Sequence, residues 1–245
     1  MKNRRRIAGL LVALLSVIGH GEKFECVHQS APNRQREVLV LGFMGGRNRP
    51  DDPRYGVGRF RQRLLAMNLP CLGVETVAND KREQAFESVR SAFDRNHDGQ
   101  IDADERESTG LILYGQSFGG AAVVKFARQL KAAGIPVMLT VEVDAVGRDD
   151  DVIPANVGAA ANLFQNDGMV HGPSRIRAED PRFTEIIGNF QFHYRDSTIV
   201  ISDLPWHKRV FEQSHVRMDR DPAVWRKVEE LILTTLDRNG WCTPS

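Results

Sequence analysis

The ten residues Leu111-Ile-Leu-Tyr-Gly-Gln-Ser-Phe-Gly-Gly120 decide the fold. Leu111 to Tyr114 is a short apolar run of the kind buried on both faces of a parallel sheet. Gly115-x-Ser117-x-Gly119 follows it without a linker, and a helical pattern then runs to about Lys131. A strand feeding a helix through one serine flanked by glycines predicts a sharp turn that exposes that serine, with the glycines letting strand and helix approach closely.

The same alternation extends in both directions. Upstream, Val38 to Phe43 is an apolar strand ending in Met44-Gly45-Gly46. A Pro- and Arg-rich loop leads to a helix over Gly58 to Asn68, a strand over Leu72 to Ala78, and a helix over Asp80 to Phe93. Downstream, Val137 to Val143 is a strand closed by Asp144. Asn156 to Phe164 reads equally as helix or strand. The polar stretch from Asn166 to Arg195 has no clear pattern and is a candidate cap over a pocket. Thr198 to Ser202 is a strand candidate, and Asp221-Pro222 opens a last helix. Alternating strands and helices predict an α/β fold with a mostly parallel central sheet and helices on both faces.

At 245 residues, 41% apolar and 27% charged, the composition is that of a globular fold with a sizeable core. Disorder and coiled coil are excluded. Lys2, Arg4, Arg5 and Arg6 supply the net charge of +1, so the rest of the chain is mildly acidic, which argues against nucleic acid as a partner. These basic residues precede the apolar run Ile7 to Ile18, so residues 1–19 read as a secretory signal peptide and 20–245 as one domain. A secreted or periplasmic protein is expected, membrane-anchored if the segment is not cleaved. Cys26, Cys71 and Cys242 permit one disulfide there, and the sequence leaves the pair open.

The strand–serine–helix context of Gly115-x-Ser117-x-Gly119 resembles the α/β-hydrolase superfamily of lipases and esterases, over about residues 38 to 237 in element order. The resemblance implies a three-layer α/β-hydrolase-like fold. It also implies a serine hydrolase acting on a small-molecule or lipid ester through a Ser–His–Asp triad. An alcohol needs a base to take its proton and a carboxylate to hold that base. His215 fits the base best, as a loop residue before the closing helix, and His171 competes. Asp144, at a strand end after the elbow helix, is favoured as the acid. Asp203, after Thr198 to Ser202, is the alternative. Phe118 would give one oxyanion donor, and Phe43 or Met44 the other.

A second motif is independent of the first. Asp94-Arg-Asn96-His-Asp98-Gly99-Gln100-Ile101-Asp102-Ala-Asp104-Glu105 matches the twelve-residue EF-hand calcium loop. Asp94, Asn96 and Asp98 stand at positions one, three and five, Gly99 permits the turn at six, and Gln100 offers its carbonyl at seven. Asp102 at nine and Glu105 at twelve complete a Ca²⁺ shell, and Ile101 is an apolar anchor. With no second loop to pair with, the ion is expected to be structural. A non-catalytic calcium-binding scaffold is the alternative to an enzyme. Arg47, Arg49, Arg54, Arg59, Arg61 and Arg63 crowd the region after the first strand, either as a solvated face interleaved with Asp51 and Asp52 or as a lure for an anionic substrate. Trp206 and Phe211 are candidates for an acyl pocket.

Overall fold

A computed structural model describes residues 37–241. The signal-peptide reading, Cys26 and Cys242 lie outside the described residues. Six strands make one sheet: β1 (Glu37–Met44), β2 (Leu72–Ala78), β3 (Thr109–Gln116), β4 (Val137–Val143), β6 (Val157–Phe164) and β8 (Glu185–Gln191), in the spatial order β2-β1-β3-β4-β6-β8. Every neighbouring pair is parallel. Two short strands, β5 (Val152–Ile153) and β7 (Arg177–Ala178), pair with each other.

Burial on both faces explains the apolar strands. Val38, Val40 and Met44 of β1 and Ile112 and Tyr114 of β3 share a core with Phe60 and Leu64 of α1 (Gly56–Ala66) and Val228 and Ile232 of α7 (Pro222–Arg238). The alternate residues Leu39, Leu41, Phe43, Leu111 and Leu113 face Val89 and Phe93 of α2 (Arg82–Phe93) and Val123 and Phe126 of α4 (Phe118–Ala132). The result is three layers. The chain leaves β1 toward β2 on one side and reaches β3 on the other, so the carboxyl ends of β1 and β3 flank the point where the strand order reverses. In open parallel sheets that crevice is where ligands bind.

Four expectations change. Asn156 to Phe164 is strand β6, its Ala-rich core paired to both neighbours. The stretch from Asn166 to Arg195 carries β7 and the edge strand β8, where a cap was expected. Thr198 to Ser202 forms no strand, because β8 already pairs with the open edge of β6. His215 stands in a helix, α6 (Gln213–Arg220), not in a loop.

Candidate active site

Ser117 joins β3 to α4 with φ 59° and ψ −127°, a conformation a side-chain-bearing residue adopts only when its surroundings enforce it. Here they do. The Ser117 N–H donates to Val143 O at 3.0 Å, and its carbonyl accepts from Val146 N–H at 3.0 Å, so the ends of β4 and β3 are laced together. A methyl at Gly115 would lie 2.4 Å from Gly119 O, and one at Gly119 would lie 2.0 Å from Phe43 O. Both glycines are therefore fixed by backbone contact. Ser117 is half-buried, and its hydroxyl makes no hydrogen bond among the described residues.

Asp144, the first residue after β4, is wholly buried with φ 43°. Its Oδ2 accepts from His215 Nδ1 at 2.7 Å and from Gln165 Nε2 at 2.9 Å, and its Oδ1 accepts from Gly172 N–H at 2.9 Å. Three donors on one carboxylate offset the cost of burying its charge. With Nδ1–H committed to Asp144, the lone pair of His215 lies on Nε2, where the side-chain amide of Gln116 donates at 3.1 Å. His215 is 6% exposed. The structure thus brings together Asp144 and His215 and places them beside Gln116, the last residue of the strand that leads into Ser117.

The alternatives are set apart. Asp203 is exposed and held by Arg220 at 2.6 and 2.7 Å. His171 is exposed, and its Nδ1 donates to Gly172 O at 2.9 Å. Its neighbour Gly172, rather than its ring, serves the Asp144 carboxylate.

On the other side of Ser117 lies the turn after β1. Phe43 and Met44 are fully buried as the last residues of that strand. Nearest the serine is Gly45, where a methyl would sit 3.2 Å from Ser117 Cβ and 2.6 Å from Gln116 Oε1. Asn79 holds this turn by donating to Met44 O at 2.9 Å and to Gly46 O. Phe118 opens the fifteen-residue α4, so its N–H belongs to the unpaired first turn, where helix dipoles favour negative charge.

Gln116, Gln165 and Asn79 were not singled out in the sequence. Nor was Glu142, wholly buried on β4 with neither carboxylate oxygen hydrogen-bonded among the described residues. Burial pushes its carboxyl well above the usual range, assisted by the Asp150 charge, while Arg128 opposes the shift.

The 94–105 loop has the expected turns. Asn96 Oδ1 accepts from Asp98 N–H at 2.9 Å, Asp98 Oδ1 from Gln100 N–H at 2.8 Å, and Asp94 Oδ2 from Gly99 N–H at 3.0 Å, with Gly99 at φ 82°. Asp102 caps α3 (Ala103–Ser108) in a capping box with Glu105, and Ile101 packs on the core. Glu105 is buried, its Oε1 accepting from Arg95 and Asn96 N–H at 2.8 and 3.2 Å. Among the described residues no group of three or more His, Cys, Asp or Glu side chains is arranged to hold a metal. Asp94, 9% exposed, nonetheless leaves its Oδ1 without a partner among the described residues, the kind of buried oxygen a hard cation would satisfy.

No protein-family model matches the chain, and no curated protein matches it. Similar solved structures exist. One is the NocB thioesterase domain in covalent complex with a fluorophosphonate nocardicin G analogue, at 13% identity and a TM-score of 0.38, covering 81% of this chain and 96% of that one. Another is the RedJ thioesterase of the prodiginine pathway in Streptomyces coelicolor, at 11% identity and 0.36, covering 78% and 91%. A third is an acetyl xylan esterase at 12% and 0.31, covering 62% and 81%. The six-stranded parallel sheet between helical layers, with a serine turn after its third strand, is an α/β-hydrolase-like fold.

Proposed function

We propose that this protein is a serine hydrolase that cleaves carboxylic esters. The observation that carries the reading is the buried Asp144–His215 pair at 2.7 Å, which meets Gln116, the residue that leads into Ser117, a serine whose backbone is held in a strained turn. In this reading His215 Nε2 takes the Ser117 hydroxyl proton as Oγ attacks the ester carbonyl. Asp144 holds the tautomer that makes Nε2 the acceptor and stabilises the imidazolium that forms. The Phe118 N–H and an N–H of the turn at residues 43–45 would receive the developing oxyanion. Collapse expels the alcohol, which takes the proton from Nε2. Water, deprotonated by the same nitrogen, then releases the acid and restores Ser117. Gln116 must yield Nε2 to Ser117 Oγ for this to run.

That Gln116 contact, with a serine hydroxyl that makes no hydrogen bond among the described residues, favours a second reading: a non-catalytic scaffold of the same fold. Turnover of 4-nitrophenyl butyrate separates the two. The enzyme reading predicts hydrolysis that Ser117→Ala abolishes, and the scaffold reading predicts none above background.

Calcium belongs to the proposal as a stabilising ion at Asp94, Asn96, Asp98, Gln100, Asp102 and Glu105. The orphan Asp94 oxygen and the oxygen-only donor set support it. When bound, the ion would neutralise carboxylates crowded between α2 and α3. A secreted or periplasmic location is also proposed. Buried Cys71 is disulfide-bonded, as an oxidising compartment allows. A small-molecule or lipid ester is the proposed partner. Among the described residues no helix is long and apolar enough to cross a membrane.

A further inference from the structure

The turn that abuts Ser117 continues directly into a concave, cationic surface. A cavity of about 400 Å³ is lined by Arg47, Arg49, Arg54 and Tyr55 together with the acids Asp51 and Asp52. Its acids are already committed. Asp52 is held by Arg54 through contacts of 2.6 to 3.2 Å, which pull its carboxyl down to about 2, with Arg49 assisting through its charge. Asp51 pairs with Arg61 at 3.0 Å and accepts from Thr76 Oγ1 at 2.5 Å. Among the described residues Arg47 and Arg49 enter no contact ion pair, and Arg49 acts on Asp52 only through space, so the cavity keeps two guanidinium groups whose donors are not committed to a carboxylate. The turn itself is fixed, by Asn48 N–H on Gly45 O at 3.3 Å and by Asn79 on Met44 O. Consecutive Cα atoms stand about 3.8 Å apart, so Arg47 lies within about 8 Å of Gly45 along the chain, and a methyl at Gly45 would lie 3.2 Å from Ser117 Cβ.

We infer that this cavity binds an anionic substituent, a carboxylate or phosphate, carried by the ester that Ser117 attacks. The inference rests on the serine-hydrolase reading and adds the substrate class to it. Guanidinium forks match the oxygens of both anions, and two arginines beside a fixed turn would anchor such a group a few bonds from the scissile carbonyl. The interleaved aspartates do not cancel the site, because their charges are spent on Arg54 and Arg61.

The test compares 4-nitrophenyl hexanoate with mono-4-nitrophenyl adipate, which adds a terminal carboxylate at the same chain length, in the full chain and in Arg47→Gln/Arg49→Gln. The parent should prefer the adipate ester. The double variant should lose about tenfold or more in kcat/KM for it, mainly through KM, while hexanoate turnover stays within twofold. Added 0.5 M NaCl should erode the preference. Inhibition of hexanoate turnover by inorganic phosphate or by acetate, absent in the double variant, identifies which anion the cavity prefers. Equal rates on the two esters in the parent, with no inhibition by either ion, would overturn the proposal, as would equal losses on both esters in the variant. If the parent hydrolyses neither ester and a fluorophosphonate leaves Ser117 unlabelled, the hydrolase reading itself has failed. Calorimetric titration of adipate and phosphate into Ser117→Ala then decides the cavity separately: binding that the arginine substitutions remove sustains an anion site, and no binding refutes it.

Discussion

Replacing Asp144 by Asn exchanges one oxygen for an NH₂ and leaves the shape of the site intact, so its consequence follows from hydrogen-bond direction alone. The carboxylate faces only donors: His215 Nδ1 and Gln165 Nε2 on Oδ2, and Gly172 N–H on Oδ1. An amide offers one acceptor and one donor. With its NH₂ toward Gly172, two donors oppose each other in a buried space, at a cost of about 1–3 kcal/mol. With its NH₂ toward His215, the imidazole must move its proton to Nε2 to accept, and Nε2 can then no longer take the proton of Ser117. The first orientation costs stability and the charge that supports the imidazolium, and the second removes the base. Asp144→Asn should therefore lower kcat/KM on a 4-nitrophenyl ester by about 10⁴-fold while the folded state loses about 1–3 kcal/mol. Initial rates and thermal melts on the same preparations measure both. A variant folded like the parent and within tenfold of its activity would refute the assignment of Asp144 as the triad acid.

Glu142→Gln should stabilise the protein, and increasingly so at higher pH. Burial keeps the native carboxyl protonated where the unfolded chain, near 4.5, releases the proton, so native stability falls as pH rises above that value. The gain in the variant should be smallest at low pH and grow as pH rises above the unfolded value, and a pH-independent difference in melting would contradict it. Chelation should lower the melting temperature. With about 2 mM Ca²⁺ and a Kd of about 10⁻⁴ M, linkage gives about 2 kcal/mol, or roughly 4–7 °C for a chain of this size, and Asp94→Asn should shrink that shift. Identical melts with and without EDTA would remove calcium from the account. Asp203→Asn and His171→Gln should each leave ester turnover within about twofold, since neither side chain touches the Asp144–His215 pair.

Much of this architecture was legible in the chain. β1, β3 and β4 are buried on both faces and read as apolar runs, the serine turn announces itself by its glycines, and Asp221-Pro222 marks the start of α7. β8 was not legible because Glu185 to Gln191 is an edge strand, half exposed and interrupted by Gly188, so it lacks both the continuous apolar run and clean alternation. The converse error at Thr198 to Ser202 has the same root. Its β-branched residues suit a strand, yet tertiary pairing decides which segment takes the edge. In the site, Asp144 could be read from its place after an apolar strand, and His215 from its place near the closing helix. Gln116, Gln165 and Asn79 could not, because a side-chain amide takes its role from what the fold sets opposite it.

The most direct test of the central claim is to treat the parent, Ser117→Ala and His215→Ala with a fluorophosphonate probe and map the adduct by peptide mass spectrometry. The account predicts a single adduct on Ser117 in the parent, none in Ser117→Ala, and labelling slowed by orders of magnitude in His215→Ala. A folded parent that remains unlabelled, or one labelled equally fast without His215, would contradict it.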